Sequence, residues 1–284
     1  MSNTAQQPIL SSIVLAAGKG TRMKTDLPKV MHPAAGEPMV KWVVKASREA
    51  GAKEVVLVVG HMAELVTAAF AQDHPACHFV TQSPQLGTGH AVDQARPLFA
   101  KGLLGEHCFV LCGDGPLIRA ETLRTLLQRH LTSGAAASLA TSVVADATGY
   151  GRIERDAHGH FRRIVEQKDA TEAQRAIREI NPSYYLFRTV DLFDALTRVT
   201  NQNASGEYYI TDVFELLLKD GERVEVVDAV PPEDVLSVNT PEHLAEVDAI
   251  LRRRLGAAFP ARSHARSEEH TSELQSRFGI SYAV

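Results

Sequence analysis

Cysteine, excess positive charge and long apolar runs are all scarce in this chain, and each scarcity excludes a class of protein. Only 3 of the 284 residues are cysteine, which argues against a disulfide scaffold and fits a reducing, cytoplasmic compartment. The net charge of −4 gives no basic surface for nucleic acid. No apolar run approaches the roughly 18 residues of a membrane-spanning helix. We therefore expect a cytoplasmic globular protein without nucleic-acid or membrane partners.

No internal repeat is found, and we expect no leader peptide. The apolar run 8–17 has no basic segment before it and leads directly into a glycine-rich turn, so it predicts a first strand. No hexapeptide period is present, so we expect no left-handed β-helix acetyltransferase domain. Residues 261–284 are polar and without period. They are either a disordered C-terminus or translated vector sequence, and we place the domain at 8–256.

Apolar strand-like runs alternate with helical spacing through the first half of the chain. Glu54–Val59 and Cys108–Cys112 are continuous apolar runs, typical of strands covered on both faces. Arg119–Leu131 predicts a helix whose apolar face carries Leu123, Leu126, Leu127 and Leu131. This order favours an α/β fold with a mostly parallel sheet, in which ligands bind beyond the carboxyl ends of the strands.

The second half is expected to extend the same sheet and to form a smaller lobe. Gly151–Arg155 and Phe161–Glu166 read as two strands of a hairpin. Three further strands are predicted at Ile180–Phe187, Val224–Val227 and Val235–Val238. A last helix should begin after Thr240, with Pro241 at its first position and Leu244, Val247 and Leu251 on its buried side.

The segment Leu15–Lys29 carries the clearest chemical signal. Gly18 and Gly20 let the backbone approach a phosphate closely, and Arg22 and Lys29 add two cations to the same loop. Neither better-known glycine motif fits. The lysine of a P-loop would follow the second glycine, and the third glycine of a dinucleotide fingerprint would stand where Met23 does. These residues predict a triphosphate site.

The full string L-A-A-G-x-G-T-R-M…L-P-K resembles the signature of sugar-1-phosphate nucleotidylyltransferases. This resemblance implies a Rossmann-like (GT-A-like) nucleotidyltransferase fold, with a mixed sheet, helices on both faces and a small sugar-binding lobe. It also implies that Leu15 and Ala16 contact substrate together with the two glycines, Gly18 and Gly20. Arg22 and Lys29 would be the catalytic cations.

Other segments resemble N-acetylglucosamine-1-phosphate uridylyltransferases, the pyrophosphorylase half of bifunctional GlmU-type proteins, over roughly residues 10–255. They are Gln82–His90, Leu111–Leu117, Thr148–Ile153, Ile164–Ala170 and Gly206–Asp212. No catalytic group is expected in the last of these, because its acidic residues are more often structural.

The resemblance assigns a role to each matching residue. Gln82 would read uracil, since an amide both donates and accepts, with Gly87 and Thr88 beside the base and ribose. Asp114 and Asn239 would hold Mg²⁺, whose remaining ligands are phosphates and waters. On the sugar side the substrate contacts would be Gly151, Glu166 and Asn181.

Three departures from the family pattern bear on the sugar. The family usually has N-T-G where this chain has Asn181-Pro-Ser183, and proline removes a backbone donor. Cys112 replaces a frequent tyrosine, and Gly115 replaces a bulkier residue. Cys112 also shares a strand face with Cys108, which suggests that both are core residues. The His74–His78 segment has too few potential ligands for a zinc site.

The expected reaction is uridylyl transfer from UTP to N-acetyl-α-D-glucosamine 1-phosphate. Two alternatives remain open at this point. One is a nucleotidylyltransferase for another sugar 1-phosphate, and the other is a non-catalytic nucleotide-sugar sensor on the same fold. The sequence does not determine the oligomeric state.

Overall fold

The chain folds into a large mixed sheet with helices on both faces. The structure is a computed structural model that describes residues 9–23 and 25–258. Its strands are β1 (Leu10–Ala16), β2 (Pro33–Ala34), β3 (Glu37–Pro38), β4 (Glu54–Val59), β5 (His78–Thr81), β6 (His107–Cys112), β7 (Ala137–Val143), β8 (Gly151–Arg155), β9 (Phe161–Val165), β10 (Glu179–Arg188) and β11 (Val224–Asp228). Its helices are α1 (Met39–Glu49), α2 (Ala63–Ala69), α3 (Thr88–Asp93), α4 (Arg96–Ala100), α5 (Ala120–Ser133), α6 (Glu172–Arg175), α7 (Thr189–Leu196), α8 (Asp212–Lys219) and α9 (Pro241–Ala258).

The main sheet has the strand order β11-β7-β10-β6-β1-β4-β5, with β8 and β9 attached to β10. β1 runs parallel to β4 and β6, and β5 runs parallel to β4. β10 is antiparallel to both of its long neighbours, β6 and β7. The predicted mostly parallel, mixed sheet is therefore confirmed. β1 and β6 are parallel, and Leu15 near the end of β1 pairs with Cys112 at the end of β6. The loops that follow the two strands therefore leave the same edge of the sheet.

Alternate residues of β1 face two separate halves of the core. Ile13 packs in the cluster that contains Phe193 of α7 and Phe214 of α8. Val14 packs in the other cluster, with Val43 of α1 and apolar residues of α5. The continuous apolar run of β1 is explained by this double coverage, because a strand between two helical layers has no solvent face.

The smaller lobe is built on the hairpin of β8 and β9. β8 pairs with β10 at Asn181↔Gly151, which attaches the lobe to the main sheet. The turn between β8 and β9 is held by Asp156 Oδ1, which accepts from the N–H groups of His158 at 2.8 Å and His160 at 2.9 Å. Such a side-chain to backbone bridge favours a tight turn, so the predicted hairpin is present.

The last helix, α9, begins where the sequence predicts. The Thr240 hydroxyl accepts from His243 N at 3.3 Å, as an N-cap does. Val247 and Leu251 are buried against the region of β2. None of the described helices is both long and apolar enough to cross a membrane. The tail expected at 261–284 lies outside the described residues.

Two local expectations are wrong. The segment 235–238 is not a strand, because it follows a short 3-10 turn and its one fully buried side chain, Val238, packs into a separate core cluster. On α5 the exposed Leu131 does not belong to the buried face. His130 takes that place, since it lies seven residues, nearly two full turns, after the buried Leu123.

Candidate active site

The glycine-rich loop after β1 brings two cations to the carboxyl edge of the sheet. Gly20 has φ +65°, and a Cβ there would collide with the Cβ of Lys29. Two short 3-10 turns follow, at Thr21–Met23 and Lys29–Met31. They leave Arg22 exposed and Lys29 partly buried. Only glycine meets both requirements at position 20, the left-handed conformation and the close approach.

Asp114 and Asn239 converge on the Lys29 ammonium from distant parts of the sequence. Lys29 Nζ forms a salt bridge with Asp114 Oδ2 and donates to Asn239 Oδ1 at 3.2 Å. Asn239 Oδ1 also accepts from Arg22 Nη2 at 2.7 Å. The Val238 N–H donates to the Asp114 carbonyl at 2.9 Å, which ties the two oxygen-bearing segments together. We call Arg22, Lys29, Asp114 and Asn239 the charged cluster.

The oxygens of the charged cluster suit a divalent cation. Asp114 Oδ2 and Asn239 Oδ1 both face one point, which a positively charged ammonium already occupies. Carboxylate and amide oxygens are hard ligands, and Mg²⁺ needs few of them when phosphates and waters complete its shell. In the described part of the chain no three His, Cys, Asp or Glu side chains are grouped as a metal site. The described chain thus offers one carboxylate and one amide oxygen here, and a cation that binds them competes with the Lys29 ammonium.

A cavity of about 430 Å³ opens beside the charged cluster. Its wall includes Leu15 at the end of β1, Arg22, and Thr88 at the start of α3. Glu166 lies on the same wall, where its Oε1 accepts from the Thr211 hydroxyl at 3.1 Å. Burial raises the pKa of the Glu166 carboxyl, although the hydrogen bond from Thr211 opposes the shift. A carboxyl group in this environment favours a ligand that brings further donors, because they offset its lost hydration.

One side of this cavity, the larger of two in the cleft, is formed by two segments that are hydrogen-bonded to each other. Tyr208 N donates to Leu86 O at 2.8 Å, and Gly89 N donates to Tyr208 O at 2.7 Å. Gly87 has φ +112°, and a Cβ there would meet the Tyr208 backbone at 2.6 Å. Glycine is therefore required at position 87, and the Gly206–Asp212 motif serves to hold the loop after β5.

The residues predicted to read the base are already engaged with the protein. Gln82 is buried, and its Nε2 lies 2.9 Å from Gly87 O and 3.1 Å from His90 Nδ1. The Thr88 hydroxyl accepts from Ile210 N at 3.1 Å. These contacts fix the loop that would face a base. A contact between Gln82 and uracil stays a prediction.

A smaller cavity of about 180 Å³ adjoins the larger one. The two cavities share wall residues Cys112, Gly149, Glu166 and Ser183. The smaller one also includes residues expected to hold metal and sugar, namely Asp114, Gly151 and Asn181. The cleft is therefore continuous from the glycine-rich loop after β1 to the small lobe.

A bulge in β10 shapes the smaller cavity. The pairing with β7 shifts between Ile180 and Tyr184, and Ser183 has φ +68°, which is unfavourable for a residue other than glycine. Asn181 Oδ1 accepts from Ser183 N at 3.0 Å, and Asn181 Nδ2 donates to the Tyr185 hydroxyl at 2.6 Å. The Asn181 side chain thereby holds the strained backbone in place.

The expectation that Cys112 is a core residue is wrong. Cys108 is fully buried, whereas Cys112 lines both cavities. The difference arises because β6 ends at Cys112, where the sheet opens into the cleft. Burial, followed by the neighbouring charge of Asp114, raises the pKa of the Cys112 thiol to about 12. The thiol is neutral at physiological pH and is not a thiolate nucleophile.

The two cavities bring together half of the residues proposed from the sequence, namely Leu15, Arg22, Thr88, Asp114, Gly151, Glu166 and Asn181. Lys29 and Asn239 join them through the charged cluster. The Ala16 side chain is buried in the core, so only its backbone can meet a ligand. A Cβ at Gly18 would meet nothing within 4 Å, so packing does not explain that glycine.

Tyr209 and Thr211 line the larger cavity, and the sequence interpretation gave them no role. Thr211 supports Glu166, and Tyr209 contributes an aromatic wall. Neither residue carries a charge or lies in a glycine-rich loop, so their side-chain chemistry did not indicate a role in the site. The close match of the Gly206–Asp212 motif to one family was the signal that could have found them.

Residues 12–211 match the family of MobA-like NTP transferase domains. This chain belongs to that family. The matched stretch contains those residues of the two cavity walls that precede or include Thr211. Asn239 lies beyond it. Membership in an NTP transferase family makes a nucleoside triphosphate the expected substrate class of the cleft, and such transfer generally uses a divalent cation.

The chain is also similar to several proteins named bifunctional protein GlmU. It is 47% identical to that of Geobacter metallireducens over 246 residues, which are 87% of this chain and 51% of the relative. Identity is 46% over 244 residues with that of Geobacillus thermodenitrificans, covering 86% and 52%. Brevibacillus brevis has a third, 47% identical over 246 residues, covering 87% and 52%. The chain spans about half the length of the curated relatives it matches.

Solved structures of UDP-glucose pyrophosphorylase share the fold of this MobA-like NTP transferase. The structure complexed with UDP-glucose superposes with a TM-score of 0.70 at 19% identity, covering 87% of this chain and 99% of that one. The apo structure gives a TM-score of 0.72 at 18% identity, with coverage of 87% and 100%. At this identity the likeness establishes the nucleotidyltransferase fold.

Proposed function

We propose that this chain transfers a uridylyl group from UTP to N-acetyl-α-D-glucosamine 1-phosphate, giving UDP-N-acetylglucosamine and pyrophosphate. The observation that carries the proposal is the charged cluster beside a two-part cleft. It occurs in a chain 47% identical to proteins named GlmU. Residues 8–256 are proposed as the transferase domain.

The reaction needs no protein nucleophile. An oxygen of the sugar phosphate attacks the α-phosphorus of UTP and forms a new P–O bond. The bond from the α-phosphorus to the oxygen bridging the β-phosphate breaks, and pyrophosphate leaves with that electron pair. Because the attacking phosphate is already an anion at pH 7, the difficulty is to align two anions. Positioning of this kind is worth about 7–11 kcal/mol, and fixed positive charge supplies much of the remainder.

The cations and oxygens of the charged cluster divide this task. Arg22 has an exposed side chain whose contact is the neutral Asn239, so its guanidinium is available to the departing pyrophosphate. Lys29 neutralises phosphate oxygens as a compact charge. Asp114 and Asn239 would hold Mg²⁺, which when bound supplies positive charge to the α-phosphate and the sugar phosphate.

The nucleoside of UTP and the sugar of the sugar phosphate occupy opposite sides of the two-part cleft. We assign the uracil and ribose to the side of the larger cavity that Thr88 lines, with Gln82 and Gly87 in the adjoining loop. The sugar takes the opposite side, where Glu166 accepts from its hydroxyls and the Asn181 region holds its acetamido group. Fixed loops on both sides support alignment, because neither has to be ordered when substrate binds.

The test is pyrophosphate release by the full chain with Mg²⁺, UTP and N-acetylglucosamine 1-phosphate. Glucose 1-phosphate and the other nucleoside triphosphates serve as competing substrates. Fast release with only the first pair is the expected result. Preference for another pair would keep the transfer chemistry and replace the substrate. No release with any pair, from protein that binds UTP, would instead favour a nucleotide-sugar sensor.

A further inference from the structure

The two expected metal ligands lie on segments that are neither helix nor strand. Asp114 is in the turn after β6, and Asn239 ends the stretch 235–239, which follows a short 3-10 turn. Such a segment lacks the regular backbone hydrogen bonds of a sheet or helix, so individual contacts have to fix its position. Asn239 can meet a cation together with Asp114 only if the two segments are held side by side.

Asp234, immediately before this stretch, is a buried acid held by two arginines. It is 1% exposed. Arg119 Nη2 donates to Asp234 Oδ1 at 3.0 Å, and Arg119 Nε lies 2.5 Å from Oδ2. Arg254 of α9 forms a second salt bridge with Oδ1. A buried carboxylate is strongly unfavourable without such partners, so the two guanidiniums fix where Asp234 lies. We call Arg119, Asp234 and Arg254 the carboxylate clamp.

The carboxylate clamp joins the two segments that carry the expected ligands. Arg119 belongs to the segment of Asp114, which runs from the end of β6 to the start of α5. Arg254 contacts the same segment, because its Nη1 donates to Leu117 O at 3.0 Å. Closer to the charged cluster, Val238 N donates to Asp114 O at 2.9 Å. The two segments are therefore tied together at both ends.

The backbone carbonyl of Asp234 is fixed as well as its carboxylate. It accepts from the Tyr184 hydroxyl of β10 at 2.9 Å, and the next carbonyl, that of Val235, accepts from the Tyr150 hydroxyl at 3.2 Å. Both tyrosines thus hold the same end of the stretch. The backbone that leads to Asn239 therefore starts from a defined point beside the sheet.

The neighbouring Glu233 does not replace Asp234. Its Oε1 lies 2.6 Å from Arg119 Nη2 and 3.4 Å from Arg254 Nη2. The Glu233 side chain is 51% exposed, however, whereas that of Asp234 is 1% exposed. Water screens an exposed ion pair and leaves it with little energy. The buried carboxylate of Asp234 is therefore the one whose charge holds the two arginines together.

We propose that Asp234 is a positioning residue for the divalent cation, because the carboxylate clamp keeps Asn239 Oδ1 and Asp114 Oδ2 facing one point. The inference rests on the proposed function, which makes those two oxygens metal ligands. Asp234 acts through the backbone of 235–239, since its own carboxylate is engaged by the arginines. Without the clamp, the stretch would have to be ordered when the cation binds, and the lost freedom would weaken binding.

The experiment removes the charge of Asp234 and measures cation binding by the nucleotide-free full chain. Asp234→Asn keeps the size of the side chain but removes the anion between the two arginines. Calorimetric titration with Mn²⁺ should give a Kd about 10–100-fold above that of the wild type, the range typical of lost groups that orient metal ligands.

Steady-state kinetics separate positioning from a general loss of folded protein. In Asp234→Asn the Mg²⁺ concentration for half-maximal pyrophosphate release should rise by a similar factor, whereas kcat at saturating Mg²⁺ should change little. A merely structural role would lower kcat in proportion to the folded fraction and leave the Mg²⁺ requirement unchanged.

Glu225→Gln is the matched control, because Glu225 is also a buried acid between two arginines. It is 9% exposed and forms salt bridges with Arg129 at 2.6 Å and Arg223 at 3.5 Å. Glu225 lies on β11 and pairs with Ser138 near the start of β7, at the end of the sheet opposite the cleft. This substitution should lower the free energy of unfolding, measured by chemical denaturation, and leave the Kd for Mn²⁺ unchanged.

Arg254 gives a second test if Asp234→Asn does not fold. Arg254→Met removes one of the two guanidiniums from a side chain that is 25% exposed, and it should also raise the Kd for Mn²⁺. Arg254→Lys retains the positive charge beside Asp234 and should raise the Kd less than Arg254→Met does.

The inference is overturned if folded Asp234→Asn or Arg254→Met binds Mn²⁺ with the wild-type Kd, or if Glu225→Gln weakens binding equally. Wild-type protein that does not bind Mn²⁺ would overturn the metal roles and this inference with them. By contrast, the expected changes in Kd, in a protein that releases no pyrophosphate from any substrate pair, would contradict the proposed function alone.

Discussion

Arg22 and Lys29 are both cations of one loop, yet their surroundings give them different parts. Arg22 is exposed and contacts the neutral amide of Asn239. Lys29 is partly buried and is paired with Asp114. Within the described residues Arg22 has no ion pair, and such a guanidinium can turn towards a leaving group at little cost, whereas a paired ammonium must first exchange one anion for another.

Arg22→Ala should lower kcat by about 10²–10⁴-fold, because the charge that develops on departing pyrophosphate loses its fork-shaped donor. Arg22→Lys keeps the charge but loses the fork-shaped donor, so its kcat should lie between those of the wild type and Arg22→Ala. Steady-state kinetics of pyrophosphate release give the values. Unfolding curves should be unchanged, since the exposed side chain packs little. Turnover at the wild-type rate in Arg22→Ala would refute the assignment.

Lys29→Met should tighten binding of a divalent cation to the nucleotide-free protein, on the order of tenfold. The reason is that the ammonium competes for the oxygens of Asp114 and Asn239. Calorimetric titration with Mn²⁺ measures the change without any need for turnover. Asp114→Asn should shift the affinity in the opposite direction. Equal affinities in wild-type protein and Lys29→Met would show that no competition exists.

Residue identity predicted Arg22 and Lys29 from their charge, whereas Asp114 and Asn239 were predicted through the resemblance to one family. It did not predict the place of Cys112, because a thiol suits both a core and a cavity wall. Nor did it predict the conformation of Ser183, whose φ of +68° depends on the Asn181 side chain.

Among the elements, the loop after β5 and the segment before α8 form one unit. Both were recognised as motifs in the sequence, but their pairing was not predicted. Their mutual bonds run between backbone atoms of Leu86, Gly89 and Tyr208. Backbone groups are the same at every position, so a pairing across more than 100 residues of sequence leaves no signal of its own.

Gly87→Ala should separate these two segments, since a Cβ would meet the Tyr208 backbone and φ is +112°. We expect a loss of about 1–3 kcal/mol in the free energy of unfolding and a raised KM for UTP. Gly221→Ala shares a positive φ of +81° but has open space around its Cβ. That control carries the conformational cost of about 1 kcal/mol and should leave KM unchanged. Identical KM values in both variants would contradict the proposed link to UTP.

At the scale of the whole molecule, a histidine pair, with His130 fully buried and His107 partly buried, lies at the opposite end of β6 from the cleft. His107 Nδ1 lies 2.9 Å from His130 Nε2, and His130 Nδ1 lies 2.8 Å from Ser138 Oγ. Burial lowers the pKa of His130 to about 3, with further contributions from His107 and Arg188. Burial also lowers the pKa of His107, although Glu106 opposes that shift. The folded protein therefore keeps His130 neutral where an unfolded chain would protonate it.

Stability should fall as pH decreases from about 6.5 towards 3, because the unfolded state then binds a proton that folded His130 refuses. At pH 5 the His130 contribution is about 2 kcal/mol of lost stability relative to pH 7. His130→Gln removes this titration, so its stability relative to wild type should improve by about that amount between pH 7 and pH 5. Chemical denaturation at both pH values measures it. A constant difference between the two proteins would contradict the shifted pKa.

The sequence by itself determined the α/β class, the glycine-rich loop with its two cations Arg22 and Lys29, and the start of α9 at its Thr240 cap. These depend on periodicity, on glycine and on charged side chains, which act locally and leave a local pattern. Tertiary structure alone decided that Asp114 and Asn239 meet at Lys29, that Cys112 faces a cavity and that His130 is buried. It also decided the volume of the two cavities, because a cavity is the space that side chains from separate elements leave unfilled.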